Sequence, residues 1–496
     1  MVDIRFKSPH IPNVTFTSRD SWLLVKRSCM AADYYRVREI SSWGYDYWLD
    51  LQLAPARIND SVYEEERARL FPSYGVLRKY EFDTKHPGHD QWQVGEHMQM
   101  AEFHAAWRSK RQILQTMISF WGDQVNFDMR ASFEHAHDPA MAYKAHALGK
   151  FKDLLVELYS SPAIIEYLDN QSNTKKGLNE NLGRELLELH TVGVNSGYTQ
   201  DDVINSARIL SGYKGYYYRS QDHYIGPVQV LGFSHANSRT EAHHCWNMLV
   251  AYLTYLAKHP STARRIADRL VERFVSDVPN AALSSRLAQI YLANDTDIKP
   301  VLKALFTSAE FKASAGQKVR RPMEVLVSML ANGGIKPKAG ISTNLTDTSE
   351  KSLDMLEEYQ WMLSEAGNLP HYWSPPDGYP LSSQKWLSTN YMQRVWTFQS
   401  RVTGNGTHTG SPNWAPLMGI KAGVTTYSAG INLAAYRMTG IVLSRDTPME
   451  RAVRMYLGNP TWKTNPTLPA SDAIMNQEAV DRLPRALMYS PINLIS

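Results

Sequence analysis

The sequence predicts a mainly α-helical protein, a large multi-helix fold with irregular loops and at most short β-hairpins. Apolar residues recur at helical spacing through most of residues 1–335. Helix punctuation falls where those stripes begin and end, with Ser and Thr before them and Gly or Pro after. Composition agrees: 43% hydrophobic and 21% charged residues allow a sizeable buried core and argue against wholesale disorder.

The elements follow in chain order. Residues 21–30 (SWLLVKRSCM) read as a helix start and residues 47–53 as a short amphipathic piece. Residues 109–121 place Ile113, Leu114, Met117, Ile118 and Trp121 on one stripe, and residues 149–159 repeat the theme with Phe151, Leu154, Leu155 and Leu158. Pro162 suits the first turn of the next helix. Residues 179–193 read as one strong helix ended by Gly193. Thr199 caps the helix that follows, with Asp201 and Asp202 in its first turn. Residues 261–274 and 298–311 are further amphipathic helices. The aromatic, Gly-containing, β-branched stretch 213–237 predicts a loop or short hairpin.

Residues 336–349, rich in Gly, Pro, Ser and Thr, are the best linker candidate. They divide the chain into a main helical domain (1–335) and a C-terminal helical and irregular subdomain (336–496) packed on it. One continuous globule is the alternative. Helical stretches in the tail are 353–365, 386–400 and 431–443, interrupted by PPDGYP (375–380) and by the polar TGNGTHTGSPNW.

Charge and cysteine content remove several function classes. Lys and Arg number 53 against 49 Asp and Glu, net +4, and the basic residues are scattered, so no nucleic-acid stripe exists. The two cysteines, Cys29 and Cys245, form no CxxC pair and read as two buried thiols rather than a thiolate zinc site. The N-terminal residues lack a basic start, an apolar run and a small-residue cleavage site, so the expectation is a cytoplasmic or already processed chain. No segment approaches the roughly 18 apolar residues of a membrane span. Aromatic content is 11%, with 13 Trp and 27 Tyr, which helix packing explains most simply and an interface explains next.

The blocks HALGKFKDLLVELYSSPAIIEYLDNQSN (146–173), NENLGRELLELHTVGVNSGYTQDDV (179–203), Ala207-Arg208, HPSTARRIADRLVERFVSD (259–277) and PPDGYP together resemble the bacterial family called domain of unknown function 1800. The resemblance covers most of the chain and implies a mostly helical fold and frequent export. It supplies little chemistry. Two departures stand out. The family's Trp-His-Asn-His-Phe-Asn run reads Trp121-Gly122-Asp123-Gln124-Val125-Asn126 here, without either histidine. Its His-Asp-x-Gly-x-Lys segment reads His223-Tyr224-Ile225-Gly226-Pro227-Val228, which keeps the His and Gly and loses the Asp and Lys.

Two constellations have metal-ligand character. Glu185 and Glu188 are three apart, so they share a helix face and can ligate one ion. Against this, Glu180, Arg184 and Glu188 run at i, i+4, i+8, the spacing of an ordinary ion-pair ladder. His190 lies roughly 200° around the helix from Glu188 and joins the carboxylates only if the helix ends first. The second is Glu134-His135-Ala136-His137-Asp138, whose histidines face the same way if the segment is extended. Pro139 favours an extended Asp138. His146, His223, His235, His243 and His244 are further candidates, and each is more ordinarily a hydrogen-bonded packing residue. No GxSxG, HExxH, P-loop or GxGxxG motif occurs in its proper context.

The expectation is a helical protein for surface assembly or macromolecule binding, non-catalytic or weakly catalytic, acting through a protein partner or self-association. The lost polar residues and the aromatic surplus favour it. The alternative is a metal-dependent enzyme, oxidative or hydrolytic, using one divalent ion. Its catalytic candidates are Glu185, Glu188, His190 and Arg208, and its metal candidates are His135, His137, His146 and His223. A carbohydrate-binding face would use Trp and Tyr, for which no specific spacing is present.

Overall fold

The computed structural model describes residues 19–71, 91–336, 353–403, 414, 418–458, 468–488 and 494. Among these residues helices dominate, and the sole sheet has two strands. The first helices are α1 (Arg19–Ser28), α2 (Tyr34–Trp43), α3 (Tyr45–Gln52), α4 (Ser61–Leu70), α5 (Gln91–Arg108) and α6 (Gln112–Gln124). Then come α7 (His137–His146), α8 (Phe151–Leu158), α9 (Pro162–Tyr167), α10 (Asn181–Glu185) and α11 (Gln200–Leu210). No described helix is long and apolar enough to cross a membrane.

Local chemistry explains the boundaries. Ser161 accepts from the Ala163 amide and Pro162 opens α9. Thr199 accepts from the Asp202 amide while the Asp202 carboxylate accepts from the Thr199 amide, closing a capping box on α11. Stretch 179–193 is not one regular helix. After α10 the chain widens into a π-helical turn, Leu186–His190. The Thr191 hydroxyl takes the Leu186 carbonyl at 2.6 Å, and the Gly193 amide, at φ 88°, reaches back to Leu187. The predicted helix 298–311 is split as well: Ser308 ends Ile298–Thr307 and caps Ala309–Ala313 by accepting from the Phe311 amide at 3.1 Å.

The irregular stretch holds the hairpin, β1 (Val228–Val230) against antiparallel β2 (Phe233–His235), with Val228 facing His235. Helix α12 (Ala242–Ala257) packs beside it, followed by α13 (Pro260–Phe274), α14 (Ala281–Ala293) and α15 (Ile298–Thr307). The central helix α16 (Pro322–Asn332) is buried along almost its whole length. The linker candidate lies outside the described residues except for Lys336, as does most of TGNGTHTGSPNW. C-terminal helices include α17 (Leu353–Glu365), α18 (Thr389–Thr403) and α19 (Tyr427–Thr439). Tyr436 of α19 meets the rings of Trp22 and Tyr34 at 6.3 and 6.2 Å, so this end of the chain packs on α1 and α2.

Most of the aromatic surplus is packing. Trp48, Trp107 and Trp121 are fully buried, and Trp121 stacks on Phe151 at 5.1 Å. Both thiols are free and buried. The core also holds charge. Arg27 donates to the Phe274 and Val275 carbonyls and to Ser314, capping the C-terminal end of α13. Arg273 pairs with Glu324, and Arg320 donates to the Met30 and Glu324 carbonyls and to Ser328.

Candidate functional site

The helix bearing Glu185 and Glu188 forms the ladder its spacing allows. Arg184 pairs with Glu180 at 2.9 Å and with Glu188 at 3.4 Å, and the Tyr198 hydroxyl donates to Glu188 at 2.6 Å. Glu185 is half-buried; burial and the neighbouring Glu188 and Asp377 raise its pKa, against a smaller opposing pull from Arg184. The π-turn carries His190 away from these carboxylates into the core, where the Tyr159 hydroxyl and His190 Nδ1 lie 2.7 Å apart. Burial, then the Arg265 charge, pushes His190 down to about 3, so it is a neutral ring.

The other candidates are dispersed. Arg208 donates to Asn205 at 3.0 Å and lies over the Tyr224 ring. His146 pairs with Glu157 at 2.6 Å. His223 is buried between the Ser211 carbonyl, 2.7 Å from Nδ1, and Asn237 Oδ1, 3.0 Å from Nε2. His146, Glu188, His190 and His223 therefore each have separate partners rather than one shared pocket.

The run Trp121–Asn126 ends α6 in the middle of the protein. Asp123 pairs with Arg321 at 2.5 Å, both buried. Gln124 donates to the Leu189 and His190 carbonyls at 3.1 and 3.3 Å. Asn126 donates to the Trp373 and Pro375 carbonyls at 2.9 and 2.8 Å, tying the run to the PPDGYP loop. That loop comes so close that a Cβ on Gly378 would stand 2.1 Å from the Asp123 carbonyl oxygen. Beside Gly122 lies His371, whose Cε1 is 3.5 Å from where a Cβ would be. His371 stacks on Phe127 at 4.8 Å and pairs with Glu102 at 2.9 Å. A cavity of about 50 Å³ remains between Glu102, Gly122, Asp123, Arg321 and His371, room for a few waters at most. His371 and Glu102 carried no signal in the sequence; they are distant residues whose meeting depends on packing.

The segment around His135 is not extended. Phe133–His135 is a 3-10 turn and α7 starts at His137, with Pro139 in its first turn, where a missing amide costs nothing. The two histidines therefore do not form the extended clamp that their spacing suggested. His137 lies 3.8 Å from Asp138 and outside the cluster that His135 makes. His135 Nε2 is 3.3 Å from Glu134 Oε1 and 3.4 Å from Glu166 Oε1, and one ligand atom from each residue lies within 4.8 Å of the others. Ser132 donates to the second oxygen of Glu166 and orients it. Nδ1 of His135 is buried without a hydrogen-bond partner among the described residues. One imidazole and two carboxylates suit a divalent cation such as zinc, manganese or iron. Glu166, on α9, was the member that sequence reasoning missed, because nothing local marks it as a neighbour of His135.

The family model described as a protein of unknown function, DUF1800, matches residues 23–492. The chain belongs to the DUF1800 family. No curated protein and no solved structure gives a significant match. In this DUF1800 member the Trp121–Asn126 run is closed by Arg321, His371 and the PPDGYP loop.

Proposed function

We propose that this protein acts by binding or surface assembly on an enzyme-like scaffold, and not by catalysis at the Trp121–Asn126 run. The observation that carries the reading is that the Asp123 carboxylate and the side-chain N–H groups of Gln124 and Asn126 are each spent on the chain's own groups, beside a cavity of about 50 Å³. A catalytic group needs room for a reacting atom next to it. The exposed aromatic pair Trp43 and Tyr47, packed edge to face at 6.4 Å, supports binding, since Tyr and Trp are favoured at interfaces. The self-association form of this reading is tested by sedimentation velocity over a wide concentration range. Concentration-dependent association, weakened by a Trp43→Ser, Tyr47→Ser double variant, is the expected result. A monomer at every concentration overturns it.

A second reading, a metal-dependent protein, is favoured by the Glu134–His135–Glu166 cluster. A bound ion there would supply Lewis acidity, and the same residues would hold it in place. Elemental mass spectrometry of protein purified without chelator decides it. Near one equivalent of metal, lost in Glu166→Gln, supports this reading. No metal after reconstitution with zinc, manganese or iron removes it.

A further inference from the structure

The sequence blocks 179–203 and 259–277 meet along an open groove of about 610 Å³, which shares no wall residue with the cavity beside Gly122. One wall is the turn that follows the π-helical stretch, residues 192–196. The other is a face of α13 that carries Arg265, Arg269 and Glu272. These are four and then three residues apart, so helical geometry sets them along one side. Arg265 lies across Gly193: a Cβ there would stand 3.4 Å from its Cδ and from Nη1, and the glycine sits at φ 88°.

Charge along this wall does not balance. Arg264 is answered by Asp268 at 2.9 Å. Among the described residues, neither Arg265 nor Arg269 has a carboxylate within ion-pair distance, and Glu272 has no cation that close. Arg265 Nε donates to the Leu189 carbonyl at 3.0 Å, and Arg269 Nη2 donates to the Asp123 carbonyl at 3.3 Å. These bonds orient the two guanidiniums without neutralising them. A guanidinium has five N–H donors, and each of these spends one in this way among the described residues. Burial, then the charge of Arg269, lowers the Arg265 pKa to about 10, with Glu272 opposing. Two buried polar atoms on the walls, Arg269 Nε and Ser196 Oγ, have no hydrogen-bond partner among the described residues. Buried polar groups are ordinarily satisfied, so an unmet pair beside open volume points to a ligand that completes them.

We infer that this groove binds a small organic carboxylate, held by Arg265 and Arg269 with the Ser196 hydroxyl as a further donor. The planar fork of a guanidinium matches the two oxygens of a carboxylate. The charge count selects a monoanion. Arg264 and Asp268 cancel, and Arg265 and Arg269 against Glu272 leave a single positive charge. A phosphate dianion would exceed it and would face Glu272 besides. Val192, Val194 and Pro260 supply an apolar wall for the organic part, and the volume falls in the range of small-molecule sites.

The test titrates the full chain with sodium hexanoate at constant ionic strength, with sodium chloride and sodium phosphate in parallel. Binding is read by calorimetry and by the shift in Tm. The expected result is saturable binding of hexanoate with a rise in Tm that chloride does not give. Arg265→Gln should weaken hexanoate binding about tenfold or more. Ser196→Ala, which removes only an unbonded hydroxyl, should weaken it several-fold while leaving the ligand-free Tm unchanged. If Arg265→Gln fails to fold, Ser196→Ala decides alone. Hexanoate acting no better than chloride would overturn the site. Affinity unchanged in the folded variants would place the anion elsewhere and overturn it too. Phosphate binding more tightly than hexanoate would overturn the carboxylate assignment.

Discussion

The Trp121–Asn126 run and the Cys245 cavity are built from similar polar groups and end in opposite states. In the run, an aspartate finds a buried arginine and two amides find backbone carbonyls, and a neighbouring loop closes over them. Around Cys245, the Tyr218 phenol reaches the sulfur at 3.0 Å, at the wall of a cavity of about 310 Å³ that is large enough for a small molecule. A polar cluster stabilises a fold when its members complete one another, and it can do chemistry when one member is left facing open volume. The difference lies in the closing loop: PPDGYP covers the first region, whereas the loop before α12 leaves a cavity in the second.

The largest effect that would sharpen this contrast concerns Asp123. Asp123→Ala strands the Arg321 charge in the core and should cost roughly 3–5 kcal/mol in denaturant unfolding. An Asp123→Leu, Arg321→Met pair should recover most of that loss. A single variant costing under about 1 kcal/mol would show the run to be far more open than described.

Acid should weaken the same region. His190 is held near 3 in the folded protein, against 6.5 for an ordinary histidine. Between those values the unfolded chain binds the extra proton, so stability falls as pH drops, by about 1.4 kcal/mol per pH unit from this residue. Stability is fully retained above pH 6.5. His190→Gln should flatten the wild-type slope between these limits, and an unchanged slope would mean that His190 is not the buried neutral ring described.

The smallest effect belongs to the exposed ladder. Glu180→Gln removes one partner of Arg184 on a solvated face and should change stability by only about 0.2–0.5 kcal/mol, less in high salt. A loss of several kcal/mol would place this helix in the same class as the closed run.

How much of the site could be read in advance depended on distance along the chain. The Glu180–Arg184–Glu188 ladder was legible because helical spacing alone brings those residues together. His135 was legible as a ligand type, but its clamp with His137 was not, because the segment turned helical and Pro139 settled into a first turn. The bond from Tyr218 to Cys245 was invisible, since Tyr218 comes from the irregular stretch before the hairpin.

The sequence by itself determined the helical class, the family, most helix positions, Pro162 in a first turn and the cap at Thr199, all of which rest on neighbours within a few residues. Only the tertiary structure decided that Asp123 would meet Arg321, that His371 would fill the space beside Gly122, that Glu166 would join His135 and that Tyr218 would meet Cys245. Spacing encodes the short-range contacts, whereas these meetings depend on how whole helices and loops pack, and burial then sets the charge of what they enclose.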